Sequence, residues 1–222
     1  MIKQSLAAIA LVLFSSALSA QTAQYEVTIM NLTPGQTFTP QLVMTHSIDF
    51  RLFEFGQPAS EGLEILAEGG DTSAVTDEAA NFTTEAQTIG GLLGPGEETS
   101  IIISGPAERG FFTVAAMMIP TNDTFIAANH VRLPAQGSLM RMLFGYDAGT
   151  EANDQNCLNI PGPRCGGEGY SPDPADGDEG FVHIGNGFHE LGDEGADGGE
   201  ILGPRVYDWR NSVARVVVRR LQ

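Results

Sequence analysis

Short apolar or alternating runs recur along the whole chain, and most of them are bounded by Gly, Pro, Asn or Asp. In residues 24–32, for example, Tyr25, Val27 and Ile29 occupy one side of a two-residue alternation that ends at a Thr-Pro-Gly turn. A two-residue period is typical of a strand with one buried face. Similar runs predict further strands, at 41–46, 49–53, 99–103, 111–118, 139–144 and 212–218. Many short strands separated by turn residues predict a mostly β fold, a single antiparallel β-sandwich.

Two short segments have a helical rather than a strand pattern. Residues 59–68 contain three closely spaced apolar side chains after Ser60, a favourable N-cap residue, and residues 72–80 form the second candidate. We expect both to be short helical inserts between strands. The chain shows neither a solenoid repeat nor the strand–helix alternation of a doubly wound sheet.

The first 20 residues have the pattern of a secretory signal peptide. Lys3 supplies the positive charge, residues 6–14 the apolar stretch, and residues 15–20 the small side chains that suit cleavage after Ala20. The apolar stretch is too short to favour an uncleaved membrane anchor. We therefore expect a secreted protein, periplasmic, cell-surface or extracellular, with one folded domain over residues 21–222.

The charge balance is strongly acidic, with 28 Asp and Glu against 11 Lys and Arg and a formal net charge of −17. Lys3 is the only lysine, so loss of the predicted signal peptide gives −17 − 1 = −18. This charge argues against nucleic-acid binding and makes divalent cations the natural counter-charge. A hydrated acidic surface adapted to saline surroundings is the alternative that composition leaves open.

Residues 153–203 form an acidic, Gly-rich region with few apolar positions, which predicts a long loop region within the domain. Cys157 and Cys165, the two cysteines of the chain, lie in this region. A local disulfide is the expected state of a close cysteine pair in an exported protein.

Signals of enzymatic chemistry are few. The sequence has neither a Gly-x-Ser-x-Gly elbow nor a phosphate-binding Gly-x-x-x-x-Gly-Lys loop. His183 and His189 flank a five-residue segment near several acids, an arrangement suited to a transition metal or an acid–base pair. A secreted metal-dependent hydrolase that uses these histidines is therefore one functional alternative.

Carboxylates placed where strands run into loops point instead to a hard cation such as calcium, which prefers several oxygen ligands. Asp147 and Glu151 are four residues apart with small residues between them, and Asp123 follows an apolar run in the same manner. Neither segment fits the calcium loop of paired helices, and acidic turn residues are common without metals. The acidic stretches 173–179 and 193–200 either hold further ions or are solvated turns.

Several segments, at 25–33, 53–60, 66–71, 117–123 and 146–153, together resemble the spondin domain of animal extracellular-matrix proteins in its bacterial form. The most specific are Pro-Thr-Asn-Asp at 120–123 and Asp-Ala-Gly-Thr-Glu at 147–151. The resemblance extends over about residues 24–219. It implies a β-sandwich that binds calcium at one end of its sheets, with Asp123, Asp147 and Glu151 as the metal ligands. At 151 this chain has Glu where the family motif has Asp, which keeps the charge but lengthens the side chain.

The resemblance also implies a non-enzymatic role in cell-surface or extracellular-matrix adhesion. The partner expected from it is an extracellular protein or glycan, with calcium as the cofactor. Because the chain is so acidic, we expect contact with an anionic membrane only where calcium bridges the two. Self-assembly through exposed sheet edges is a further alternative that the sequence leaves open.

Overall fold

A computed structural model describes residues 21–172, 177–189, 195, 197–210 and 212–221. The predicted signal peptide, residues 1–20, lies outside the described residues. Within the described ranges, no helix is both long enough and apolar enough to span a bilayer.

The described chain forms strands and short helices in an order dominated by strands. In chain order, the strands are β1 (Thr22–Asn31), β2 (Thr37–Phe38), β3 (Gln41–His46), β4 (Thr83–Ile89), β5 (Glu98–Pro106), β6 (Phe111–Ile119), β7 (Thr124–Arg132), β8 (Ser138–Leu143), β9 (Gly145–Asp147), β10 (His183–Ile184) and β11 (Ala214–Arg220). The helices are α1 (Glu61–Gly69), α2 (Ser73–Ala79) and α3 (Pro204–Tyr207).

Two antiparallel sheets pack face to face, which confirms the predicted β-sandwich. The smaller sheet has the order β5-β1-β11-β8, and the larger has the order β10-β9-β7-β6-β3-β4 with β2 paired to β6. The last strand, β11, pairs with β1 near the start of the domain, with Val27 opposite Val218. Pairing between the first and last described strands places the beginning and the end of the described chain in the same sheet.

The two sides of the larger sheet are buried against different partners. Its inner face packs on the smaller sheet, where β1 contributes Tyr25, Val27 and Ile29 on the buried side of its alternation. Its outer face packs under α1 and α2, with Leu63 and Leu66 buried. The central strands β6 and β7 are therefore buried on both faces, as expected for a sheet covered on both sides.

Helix α1 begins where the sequence predicts a cap. The Ser60 hydroxyl accepts a hydrogen bond from Leu63 N at 3.3 Å and donates one to Glu78 Oε2 at 2.7 Å. Glu78 Oε1 accepts from Gly62 N at 2.7 Å, so the cap also ties α1 to α2. Both predicted helices, 59–68 and 72–80, are thus confirmed with slightly different bounds.

The strand predicted at 49–53 is wrong, because these residues lie in a turn and a loop. Phe50, Leu52 and Phe53 are nevertheless buried under the helices. Leu52 N donates to the Asn129 side chain at 3.0 Å. The apolar pattern at 49–53 reported burial correctly, but burial here comes from a loop that covers the sheet.

Five of the described strands were not predicted from the sequence: the longer β4 and β7, and the short β2, β9 and β10. β4 is largely polar because it stands at one end of the larger sheet's strand order, where it pairs with β3. β7 lacks alternation because its first five residues are all buried. A short run buried on both faces has no period that distinguishes a strand from a helix.

The acidic region 153–203 is attached to the sandwich by local ties in its described parts. Cys157 and Cys165 form the predicted disulfide. Cys157 N donates to Glu200 O at 2.8 Å, and Leu202 N donates to Gln155 O at 2.8 Å. These contacts bring the two ends of the region together beside the site described below.

Candidate metal site at the end of the larger sheet

Strand pairing brings Asp123 and Asp147 together. Asp123 ends the turn between β6 and β7, and Asp147 is the last residue of β9. In the ladder between β7 and β9, Thr124 lies opposite Asp147, and Ala148 N donates to Asp123 O at 3.3 Å. Both side chains are buried, with Asp123 0% and Asp147 1% exposed.

The loop after β9 folds around the carboxylate of Asp123. Its Oδ2 accepts hydrogen bonds from Thr150 N at 2.8 Å and Glu151 N at 3.2 Å. Its Oδ1 is buried and has no hydrogen-bond partner in the described part of the structure. A buried carboxylate oxygen without a partner is costly, so this atom needs a counter-charge or a proton.

Gly149 allows the loop to make this turn. Its φ is +69°, and a Cβ at this position would lie 2.4 Å from Phe181 O. Gly149 N also donates to Asp147 Oδ1 at 2.9 Å. A larger residue is therefore excluded on both conformational and steric grounds.

Glu179 and His183 reach the same site from the acidic region. His183 lies opposite Asp147 in the short ladder between β9 and β10. Each of Asp147, Glu179 and His183 offers a ligand atom, and the three atoms lie within 4.8 Å of one another. Asn153 Nδ2 links two of them by donating to Asp147 Oδ2 at 2.8 Å and to Glu179 Oε1 at 3.2 Å. Among the described residues, this is a group that could hold a metal ion.

The two histidines predicted to act together have different surroundings. His183 Nδ1 lies 2.9 Å from Ile184 O, a carbonyl that only accepts, so Nδ1 carries a proton. Its Nε2 is buried without a hydrogen-bond partner among the described residues. His183 Nε2 lies 3.4 Å from Asp147 Oδ1 and 4.0 Å from Glu179 Oε2. His189 is not part of this group, and its backbone N–H donates to Gln155 Oε1 at 2.8 Å.

The structure describes only parts of the acidic stretches at 173–179 and 193–200. Residues 173–176, 190–194 and 196 lie outside the described residues. Asp197 accepts hydrogen bonds from Gly199 N at 3.0 Å and Asn156 Nδ2 at 2.8 Å, and Glu200 forms a 2.6 Å ion pair with Arg164. These two acids support the loop, whereas Glu179 faces Asp147.

Burial and mutual repulsion raise the pKa values of the central acids. Burial raises the pKa of Asp123 well above its ordinary range, and the charge of Asp147 raises it further. Burial also raises the pKa of Asp147, while Asn153 and the charge of His183 partly oppose the rise. Burial raises the pKa of Glu151 to about 8, and the largest charge contribution comes from Glu68, ahead of Asp123. The principal charges acting on Asp123 and Glu151 are thus all negative.

The backbone places the three predicted ligands at the same end of the larger sheet. The described group whose ligand atoms lie within 4.8 Å of one another is Asp147, Glu179 and His183, however, and it includes neither Asp123 nor Glu151. Among neighbouring charges, Asp147 has the largest effect on the pKa of Asp123. The largest effect on the pKa of Glu151 comes instead from Glu68. Sequence reasoning did not find Glu68, because one glutamate in a short amphipathic helix has the pattern of a solvent-facing residue. Only its 1% exposure distinguishes it from the other acids of that helix.

The raised pKa of Glu151 predicts a pH dependence in metal-free buffer. A folded-state value of about 8 against an ordinary 4.5 means that the folded protein binds this proton more tightly than the unfolded chain does. The resulting stability is full below about pH 4.5 and is lost as the pH rises towards about 8. Thermal unfolding in a chelator between about pH 5 and 9 should show the loss. Glu151→Gln should reduce it, and an unchanged slope in that variant would contradict the assignment.

The fold and the site define an antiparallel β-sandwich with a buried acidic cluster at the end of its larger sheet. A family model described as Spondin_N matches residues 23–155. The chain therefore belongs to the Spondin_N family. The match includes Asp123, Asp147 and Glu151 and ends before Glu179 and His183. No curated protein matches the chain.

Proposed function

We propose that this protein is an extracellular, non-enzymatic calcium-binding module, with Asp123, Asp147 and Glu151 as metal ligands. The observation that supports calcium most directly is Asp123 Oδ1, a buried carboxylate oxygen without a hydrogen-bond partner beside a second buried carboxylate. A divalent cation would compensate both charges. The available donors are mainly carboxylate oxygens, which calcium prefers, and Glu179 supplies another at the rim.

The family and the compartment support the proposal of an adhesive role at the cell surface or in extracellular matrix. The disulfide between Cys157 and Cys165 and the spondin domain both indicate an extracellular protein. The partner that we propose is an extracellular protein or glycan. The net charge of −17 disfavours nucleic acid and makes contact with an anionic membrane dependent on bridging calcium. Self-assembly is the alternative mode of action, and light scattering with and without calcium separates it from a monomeric adhesin.

The direct test is calcium binding by the purified protein. We expect isothermal titration calorimetry and elemental mass spectrometry to show bound calcium in the natural protein and none in the variant Asp123→Asn, Asp147→Asn, Glu151→Gln. A matched control, Asp49→Asn, Asp77→Asn, Glu108→Gln, removes the same number of charges from exposed positions and should bind as the natural protein does. Equal calcium binding by the two triple variants would overturn the proposal.

His183 Nε2, buried beside two carboxylates and without a hydrogen-bond partner among the described residues, favours a second candidate, a transition-metal hydrolase. Asp147, Glu179 and His183 together would hold zinc, in place of the predicted pair His183 and His189. This candidate requires zinc in the purified protein and hydrolysis of a glycan, ester or peptide that is lost in His183→Ala but retained in His189→Ala. Calcium without zinc, and no turnover, is the result that our first proposal expects.

A further inference from the structure

Glu68 is a buried acid on a different element from the ligands proposed above. It occupies the last turn of α1 and is 1% exposed. Its Oε2 accepts a hydrogen bond from Ser171 N at 2.9 Å, whereas its Oε1 is buried without a hydrogen-bond partner among the described residues. The last turn of α1 has no basic residue, and the C-terminal end of a helix is itself unfavourable for a negative charge.

Glu151 presents a second unpaired oxygen to the same region. Its side chain belongs to a residue that is 8% exposed, and its Oε2 has no hydrogen-bond partner in the described chain. The Glu68 carboxyl contacts the side chain of Thr150, the residue that precedes Glu151 in the loop after β9. In keeping with this contact, Glu68 is the charge that most raises the pKa of Glu151. Thr150 lies between Glu68 and Asp123: its hydroxyl is 3.4 Å from Asp123 Oδ2, and its hydrogen bond to Glu68 lowers the pKa of that carboxyl.

Two buried carboxylates with unpaired oxygens are not stable as neighbouring free charges. The principal charges acting on Glu151 are Glu68, Asp123, Asp154 and Glu168, all of them acidic. A proton can neutralise one of the two carboxylates, whereas a bound cation would compensate both charges at once. Two carboxylates and a hydroxyl offer only oxygen ligands, which select a hard divalent cation over a transition metal.

We propose that Glu68 and Glu151 hold a second calcium ion, distinct from the ion at Asp147, with Asp123 between the two sites. This inference rests on the proposed function, since Glu151 belongs to both sites and would bridge them. The first ion joins β7, β9 and the loop after β9. The second would attach α1 to that loop, so that the outer helix and the end of the sheet are ordered together.

The test compares calcium stoichiometry in matched variants of the full chain. Isothermal titration calorimetry and elemental analysis should give two calcium ions for the natural protein, one for Glu68→Gln and one for Asp147→Asn. Gln is nearly isosteric with Glu, and its side-chain oxygen is still able to accept the Ser171 hydrogen bond. The control is Glu64→Gln, one turn earlier on α1 and only partly buried, which should retain both ions.

The outcomes separate this inference from the proposed function. A single calcium that is lost in Asp147→Asn and retained in Glu68→Gln would overturn the second site and leave the first intact. Absence of calcium from the natural protein would overturn both. If Glu68→Gln does not fold, terbium soaked into crystals of the natural protein gives the answer directly. An anomalous peak between Glu68 and Glu151 supports the second site, and a peak only beside Asp147 overturns it.

Discussion

Asp123→Asn is expected to change stability in opposite directions in calcium and in a chelator. With calcium at about 100 times its dissociation constant, binding to the folded form contributes about 2.7 kcal/mol, which the variant loses. For a domain of this size the melting temperature should fall by about 5–10 °C. In the chelator the variant should be at least as stable as the natural protein, because it removes a buried charge beside Asp147 while keeping an oxygen for Thr150 N and Glu151 N.

The matched control for this prediction is Asp49→Asn, which removes one charge from an exposed position. It should shift the melting temperature little and equally in both buffers, as surface substitutions usually do. Differential scanning calorimetry of the three proteins with calcium and with chelator makes the comparison. If Asp123→Asn destabilises the protein equally in both buffers, Asp123 has a purely structural role and is not a calcium ligand.

Phe125→Ala should cause the largest loss of stability among single substitutions near the site. Phe125 is fully buried in β7, and its ring lies 5.6 Å from that of Phe53 and 5.8 Å from that of Tyr146, measured between centroids. Truncating a buried Phe removes transfer free energy and leaves a cavity, at a cost of about 3–5 kcal/mol. The melting temperature should fall by about 6–20 °C, as calorimetry would measure it.

Phe55→Ala is the control for the same aromatic cluster. The ring of Phe55 lies 5.4 Å from Phe53 and 5.6 Å from Tyr146, but the residue is 59% exposed. Because little of its surface leaves water on folding, its truncation should cost less than about 1 kcal/mol. Similar losses in the two variants would mean that ring contacts, and not burial on the outer face of the larger sheet, determine stability at this end.

The strands that the sequence identified are those whose pattern reports one buried face. β1 is the clearest case, since Tyr25, Val27 and Ile29 are all buried between the sheets. β7 was not predicted, because a strand that is buried on both faces has no alternation of apolar and polar residues. The strand predicted at 49–53 was wrong, because a loop that covers the sheet buries apolar residues just as a strand does. Periodicity therefore reports which side chains leave water, and pairing partners have to be found separately.

In the candidate site, too, the sequence identifies some residues and only the structure reveals others. Asp123, Asp147 and Glu151 were identifiable because they follow strands and belong to recognisable motifs. Glu68 had no such signal, because its importance comes from the position of α1 over the larger sheet. His183 could be identified as a candidate ligand, but the sequence suggested His189 as its partner, whereas antiparallel pairing places it opposite Asp147.

The sequence by itself determined the sandwich class, the N-cap at Ser60, the local disulfide between Cys157 and Cys165, and the residues that carry negative charge. These features depend on neighbours along the chain, so spacing and residue type suffice to read them. Tertiary structure alone decided which acids are buried together and left with unpaired oxygens. Glu68 and Glu151 are 83 positions apart (151 − 68). Their electrostatic coupling arises only when a helix and a loop pack together and exclude the water that would otherwise solvate both charges.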